Sequence, residues 1–355
     1  MYTREIQECP TSFVKNRKPV FGTFRGPFNR LDIRGVERTY GNLPLPVFIT
    51  NLRIKSRLSF FFADGDYIGC IELFDAKVLG YAEVIFWDKK TKKRFIYHTV
   101  MGPRRRFVPH KLDVASTSCY KKARYIRISW DRNHDKLSVI FNLRGDSHRP
   151  SANAAFVAHF SNPNKAEIIS VLPAPILRRC SAKYYLSVPL HGALTVVPIG
   201  QQMKTMPDSD GLCFLDMNRT YMRFLTHGEF ITGMGQVNDI PLTFRIEATS
   251  HDAVTPEKYN GNILFYDGKT TPLPPVLITH PFGIMDKWVI QDTENMIDLT
   301  FTPLSDNKSN VNVFFLRSEY ITIYGTYDGA LLTAEGQKLT IRSLPGLTKK
   351  YVIRL

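Results

Sequence analysis

Leu137-Ser-Val-Ile-Phe-Asn-Leu-Arg144 alternates strictly. Leu137, Val139, Phe141 and Leu143 fall on one side of an extended chain, and Ser138, Ile140, Asn142 and Arg144 fall on the other. The same period of two recurs at Leu242, Phe244, Ile246 and Ala248 against Thr243, Arg245 and Glu247, and at Ile297, Leu299 and Phe301 against Asp298 and Thr300. Tyr125-Ile-Arg-Ile-Ser-Trp130 follows it in part. Such runs predict half-buried antiparallel strands. Turn signals separate them: Asp64-Gly65, Asp131-Arg-Asn-His-Asp135, Asp267-Gly268 and Asp328-Gly329. Long amphipathic helical patterns are absent. Many short strands at regular spacing predict an all-β sandwich or barrel.

The chain has 355 residues, room for one large domain or two ordinary ones. Its hydrophobic fraction of 43% excludes a disordered chain and leaves ample material for a core. The net charge of +15 is unevenly spread. Residues 1–180 carry 32 basic and 15 acidic side chains, a net of +17, and residues 181–355 carry 15 and 17, a net of −2. The prolines of Leu172-Pro-Ala-Pro-Ile-Leu-Arg-Arg179 interrupt strand pairing where the charge balance changes. The predicted organisation is an N-terminal arm (1–18), a basic β domain (19–178) and a second β domain (179–355).

Five cysteines, Cys9, Cys70, Cys119, Cys180 and Cys213, are widely spaced and form no CxxC, so free thiols are expected. The nine histidines form no HxH, HxxxH or HExxH, and no phosphate-binding glycine loop or GxSxG elbow occurs. No metal and no cofactor are expected. The first residues lack an apolar signal segment, and the longest uncharged run, Tyr184 to Met203, contains Pro189 and Pro198. A cytoplasmic protein without an integral membrane span is expected, associated with the cytoskeleton if its partner is a filament.

A set of segments goes further. Gly22-Thr-Phe-Arg-Gly-Pro-Phe-Asn-Arg-Leu-Asp-Ile33, Leu52-Arg-Ile-Lys55, Leu215-Asp-Met-Asn-Arg-Thr-Tyr221 and Pro256-Glu-Lys-Tyr-Asn-Gly-Asn262 occur in order, followed by Leu264-Phe-Tyr-Asp-Gly268, Asp298-Leu-Thr-Phe-Thr-Pro303 and Tyr324-Gly-Thr-Tyr-Asp-Gly329. From about Pro19 to Arg354 the chain resembles a domain-of-unknown-function family, number 2804. That family is distantly related to carotenoid 1,2-hydratase and AttH-like proteins. The resemblance implies two tandem lipocalin-like antiparallel β-barrels packed together. The enzymatic relatives handle long apolar terpenoids inside a barrel. The family pattern has Glu-Trp where this chain has Ser56-Arg57, a proline at Arg223, an acid at Gly261, a Glu at Lys349 and a Trp at Leu355. These departures suggest a divergent member with an eroded pocket.

Two readings stand for the residues of the most specific segments. In one, Asp216 or Glu257 is a buried carboxyl of raised pKa, the general acid of a hydratase or isomerase. Tyr221 or Tyr259 would then relay the proton, with Arg219, Asn260 and Asn262 completing the pocket. In the other, which is favoured, Asp216 pairs with Arg219, while Asn260 and Asn262 satisfy a turn backbone.

The basic clusters are Lys89, Lys90, Lys92, Lys93 and Arg94 on a hairpin tip; Arg104, Arg105 and Arg106 in a loop; Lys121, Lys122 and Arg124 at a strand start; and Arg178 and Arg179. A coherent patch of this kind attracts an acidic polymer in a salt-dependent way. The leading expectation is a non-catalytic scaffold docked on an acidic assembly, a tubulin-like filament (the microtubule lattice) ahead of RNA. The alternative is a hydratase, isomerase or carrier for an apolar terpenoid or lipid in a barrel cavity.

Overall fold

The structure is a computed structural model describing residues 2–41, 45–102, 107–197, 207–248, 253–313 and 316–354. In chain order the elements are β1 (Ile6–Glu8), β2 (Val14–Lys15), β3 (Lys18–Pro19), β4 (Gly22–Arg25), α1 (Val47–Leu52), β5 (Ile54–Ala63), β6 (Tyr67–Asp75), β7 (Gly80–Asp88), β8 (Arg94–Met101), β9 (Val114–Lys121), β10 (Arg124–Asp131) and β11 (Lys136–Leu143). They continue with β12 (Ser151–Ala158), β13 (Ala166–Pro173), β14 (Cys180–Val197), β15 (Ser209–Tyr221), β16 (Leu225–Val237), β17 (Ile240–Glu247) and β18 (Ile263–Tyr266). The remainder are β19 (Lys269–Pro272), β20 (Leu277–Thr279), β21 (Trp288–Gln291), β22 (Ile297–Val313), β23 (Leu316–Leu332) and β24 (Lys338–Arg354).

Two curled antiparallel sheets result, and the expected all-β pair of barrel-like units packed together is what the chain forms. The first runs β8-β7-β6-β5-β15-β14-β12-β11-β10-β9, with β13, β4 and β1 attached to β14. The second runs β19-β18-β17-β16-β24-β23-β22-β21-β20. The chain changes sheet at Met222–Phe224. Residues 178 and 179, placed at a domain boundary from sequence, lie in the loop joining β13 to β14, which pair with each other from Ala166↔Ser187 to Pro173↔Cys180. The prolines there close a hairpin.

The alternating residues behave as their period requires. On β11, Leu137, Val139, Phe141 and Leu143 are buried, while Ile140 is exposed. They join Leu58, Phe60, Phe62, Ile71, Val84 and Phe86 in a core that fills the first barrel. Leu242, Phe244 and Ile246 do the same for the second barrel, with Trp288 and Phe301. One expectation changes here. The other side of β17 does not face water: Thr243 and Arg245 are fully buried. Strands β5, β6, β7, β14 and β15 of one sheet and β16, β17 and β24 of the other press their outer faces together. Phe61, Ile85, Trp87 and Phe214 meet Phe230, Met234, Phe265 and Leu347 there in a third apolar cluster.

Strand register writes a polar line across that interface. Tyr185, Asp216, Ser59, Glu72 and Glu83 stand directly opposite one another on β14, β15, β5, β6 and β7. Glu247, Phe230, Lys349, Thr322 and Asn307 do so on β17, β16, β24, β23 and β22. The two lines meet through ion pairs. Arg245 Nη2 donates to Asp216 Oδ2 at 2.8 Å, with both side chains essentially inaccessible (0% and 1%). Lys349 Nζ donates to Glu72 Oε2 at 2.8 Å, and Lys183 Nζ to Glu247 Oε2.

Removing one member of a buried pair strands the other's charge. Asp216→Leu is therefore expected to lower unfolding free energy by about 3–5 kcal/mol. The Asp216→Leu/Arg245→Leu double variant is expected to lose clearly less than the sum of the single losses, measured by urea unfolding of all four proteins.

Candidate functional site

The interface is not packed throughout. At one end of it lies a cavity of about 300 Å³ between the two sheets. One part of its wall is apolar, from Phe74, Leu172, Met222 and Ile353. Another part is charged: Lys55, Arg57, Lys183, Arg223 and Lys349 against Glu72, Glu229 and Glu247. Each of these acids has a partner: Lys349 for Glu72, Lys183 for Glu247, and His280 for Glu229 at 3.2 Å. Lys55 meets no acid within ion-pair distance among the described residues. Its ammonium donates to the carbonyls of Ala76 at 2.7 Å and Leu52 at 3.3 Å. Burial lowers this amine to about 8, and the neighbouring Arg53 and Lys77 add to the fall. The cavity wall thus carries an excess of positive charge.

Beside the cavity the carboxyls are driven apart. Burial raises Glu72, but Lys349 and Arg57 outweigh it and hold the carboxyl below its usual range. Glu247 is likewise raised by burial and pulled down to about 2, chiefly by Lys183 and Arg245. Glu83, opposite Glu72 on the next strand, goes the other way. Burial pushes it up, and Lys349 and the Tyr320 hydroxyl offset this only in part. Tyr81 donates to Glu83 Oε2 at 2.9 Å, Tyr320 donates to the same oxygen, and the two hydroxyls lie 2.8 Å apart. Both tyrosines also line the cavity. Neighbouring carboxyls with opposed shifts are a pattern of acid–base sites. Glu83 is the raised carboxyl and Glu72 the lowered one, and the two tyrosines connect Glu83 to the cavity.

Of the residues singled out from sequence, Tyr221, Tyr259, Asn260 and Asn262 line the cavity, and Asp216, Arg219 and Glu257 do not. Asp216 and Arg219 are three positions apart on β15, an odd separation that puts them on opposite faces. Asp216 pairs with Arg245 and, at 3.4 Å, with Arg57, so it belongs to the interface as an ion-paired carboxylate. Arg219 turns into the first barrel and donates to Val108 O at 2.7 Å. The Tyr221 hydroxyl donates to Ile33 O at 2.9 Å and accepts from Val36 N, which ties it to the barrel core. Glu257 is exposed, not a buried acid. Asn260 accepts from its turn's Asn262 N at 3.0 Å and donates to Pro256 O, and Asn262 donates to Pro274 O at 2.8 Å. Both amides therefore bond their turn and also line the cavity, and Asn262 Oδ1 accepts from Glu247 N at 2.8 Å. Arg4 of the N-terminal arm donates to both Asn260 Oδ1 and Asn262 O. Tyr259 lines the cavity and packs on Phe21, with ring centroids 5.6 Å apart. Of the departures from the family pattern, Arg57, Arg223, Gly261 and Lys349 all line the cavity.

Reading from sequence missed Glu72, Glu83, Lys183 and Arg245. For Glu72 and Glu83 the signal was available: Ile68-Gly-Cys-Ile-Glu-Leu-Phe74 and Tyr81-Ala-Glu-Val-Ile-Phe-Trp87 are apolar runs of doubly buried strands, each holding one carboxylate.

The basic clusters divide between the two ends of the first sheet. Lys90, Lys92, Lys93 and Arg94 are exposed at the β7–β8 hairpin, where Lys90 pairs with Asp66 at 2.9 Å. Lys89 is half-buried and donates to Asp64 O. Lys121 and Lys122 are exposed, and Arg124 lies 5.1 Å over the ring of Tyr97 on β8. Those two clusters thus share a rim, about 10 Å apart along β8. Arg178 and Arg179 precede the opposite end of β14. Arg104, Arg105 and Arg106 lie outside the described residues. Cys9 is half-buried, and the other four cysteines are free and buried. Among the described residues no group of three or more His, Cys, Asp or Glu is placed to hold a metal ion, and no helix is long and apolar enough to cross a membrane.

Burial raises Glu83 in the folded protein, whereas the unfolded chain releases this proton near the ordinary carboxyl value of 4.5. The folded form then holds more protons, and the stability due to this group falls as pH rises from about 4.5 toward the raised value. Glu83→Gln is expected to flatten that fall and to be at least as stable as the parent at pH 7, measured by urea midpoints across the interval.

Two solved structures align with the chain. Kievitone hydratase from Nectria haematococca aligns with 9% identity and a TM-score of 0.45, over 84% of this chain and 87% of that one. CdiB from Acinetobacter baumannii aligns with 8% identity and a TM-score of 0.18, over 88% and 60%. No curated protein matches the sequence. A family model matches residues 5–354, and the chain belongs to the family described as Domain of unknown function (DUF2804).

Proposed function

We propose that the chain binds a small molecule with an apolar body and an acidic or strongly polar end in the cavity between its two sheets, and moves a proton to or from it. The observation that carries this reading is the division of the cavity wall. One side is apolar, while the other converges Lys55, Arg57, Lys183 and Lys349 beside the Glu83–Tyr81–Tyr320 group. Pockets of this size with a few convergent polar groups are the usual form of ligand sites. The barrels themselves are filled by side chains, so the ligand site of this reading is the inter-sheet cleft and not a barrel lumen.

The chemistry that suits the site is hydration or isomerisation of a double bond. Glu83, through Tyr320 or Tyr81, gives a proton to one carbon. Water then adds to the other carbon and returns a proton to the carboxylate, or a proton leaves a neighbouring carbon. Without that step the protein is a carrier. Native mass spectrometry of the purified protein is expected to show a retained small molecule, absent from Gly261→Leu, whose added side chain enters the cavity beside Lys183. Incubated in D2O, that molecule is expected to take up deuterium with the parent and not with Glu83→Gln. Uptake by neither leaves a carrier. No retained ligand in any preparation removes the reading.

A second reading rests on the shared rim of the 89–94 and 121–124 clusters, with its exposed Lys92, Lys93, Arg94, Lys121 and Lys122. It is docking on an acidic assembly, a tubulin-like filament ahead of RNA. Co-sedimentation with microtubules, and separately with structured RNA, is expected to weaken with salt and on Lys92→Glu/Lys93→Glu. Binding to neither at low salt ends this reading.

A further inference from the structure

Half of the large hydrophobic residues exposed among the described residues lie in three short segments. These are 45–53 with α1, 174–179 before β14, and 222–225 after β15. They are far apart in sequence and adjacent in space, because β5, β15 and β14 are neighbouring strands. Ile54 pairs with Tyr221, and Ser181 pairs with Thr220, at this end of the sheet. The Arg53 guanidinium lies 4.1 Å over the Phe224 ring and donates to Met222 O at 3.1 Å. Tyr40 donates to the same carbonyl, and the Arg179 guanidinium lies 5.5 Å over the Tyr40 ring.

Phe48 is 69% exposed, Leu52 56%, Leu177 52%, Phe224 67% and Leu225 55%. Water is a poor partner for so much contiguous apolar surface. The same three segments hold Arg53, Arg178, Arg179 and Arg223 and no acidic residue. Asp75, at the adjoining turn, is neutralised by Lys77 at 3.0 Å. An apolar tip ringed by arginines alone matches a surface that is apolar below and negatively charged above, which is an anionic bilayer. The face adjoins the cavity, whose lining includes Ala174, Pro175, Met222, Arg223 and Leu225.

We infer that this end of the molecule docks on anionic membrane, with Phe48, Leu52, Leu177 and Phe224 entering the headgroup region and the arginines meeting lipid phosphates. The cavity then opens toward the bilayer, so its ligand is a membrane-derived amphiphile with an acidic or polar head. The identity of the ligand rests on the small-molecule reading above, whereas the docking itself does not.

The test is co-sedimentation of the full chain with phosphatidylcholine vesicles, with and without phosphatidylserine, at low and high salt. Binding is expected with phosphatidylserine. It is expected to weaken about tenfold or more without that lipid, and again in Phe48→Glu/Leu177→Glu/Phe224→Glu. Lys338→Glu/Arg342→Glu, exposed positions of β24 away from this face, is expected to bind vesicles as the parent does. The inference is overturned by absence of vesicle binding, by binding that survives the triple variant, or by binding lost in the β24 variant. It is equally overturned if the apolar face proves to join two copies, seen as a dimer that the triple variant dissociates. Ligand retention, read separately by native mass spectrometry without vesicles, distinguishes failure of this surface from failure of the cavity.

Discussion

The contact between Arg245 and Asp216 organises this molecule. Neither side chain reaches water, so each charge needs an opposite charge beside it, and the next nearest, Arg57 for Asp216 and Glu247 for Arg245, stand further off at 3.4 and 3.8 Å. A pair that crosses from one sheet to the other must hold the two at a fixed distance and angle. Arg245 Nη1 also donates to Thr232 Oγ1, and its guanidinium lies 3.4 Å over the Phe230 ring, so the cation is held from its own sheet as well. Around this clamp apolar packing closes the middle of the interface. Where packing stops, the cavity begins.

The fold places chemistry between the barrels because of strand register. Residues directly opposite on neighbouring strands share a face. Five consecutive strands of the first sheet bring Tyr185, Asp216, Ser59, Glu72 and Glu83 into one line, and none of these pairs is close in sequence. Glu72 and Glu83 would repel if both were ionised. The single ammonium of Lys349 bonds Glu72 and holds it low, while burial raises Glu83 against the opposing pull of Lys349 and its tyrosine partners.

The same layout ties the three proposed properties to different parts of the surface. The acid, the apolar wall and the surplus cations belong to the cleft. The apolar tip lies at the mouth of that cleft, at the ends of β5, β14 and β15. The lysine-rich hairpin projects from the far end of β7 and β8. A variant at either end therefore leaves the other end's contacts in place.

The alternation of Leu137 to Arg144 and of Leu242 to Ala248 was enough to determine strands, an all-β architecture and the inward face of each barrel. Apolar residues at a period of two have one stable destination. The segments Leu215–Tyr221 and Pro256–Asn262 likewise carried the family. What lies across a sheet from a given residue is a matter of strand order, and no local pattern encodes it. Arg245 read as a solvent-side residue of a half-buried strand, and only the second sheet against it makes that side an interior. Asp216 read as a candidate acid, and the guanidinium that keeps it ion-paired comes from another strand of another sheet. Glu83 could be noticed as a charge in an apolar run, but its burial depends on the second sheet, and its partner Tyr320 comes to it from β23. Burial and charge pairing, which decide what each carboxyl can do, are properties of neighbours distant in sequence, and they came into being only when the two sheets packed.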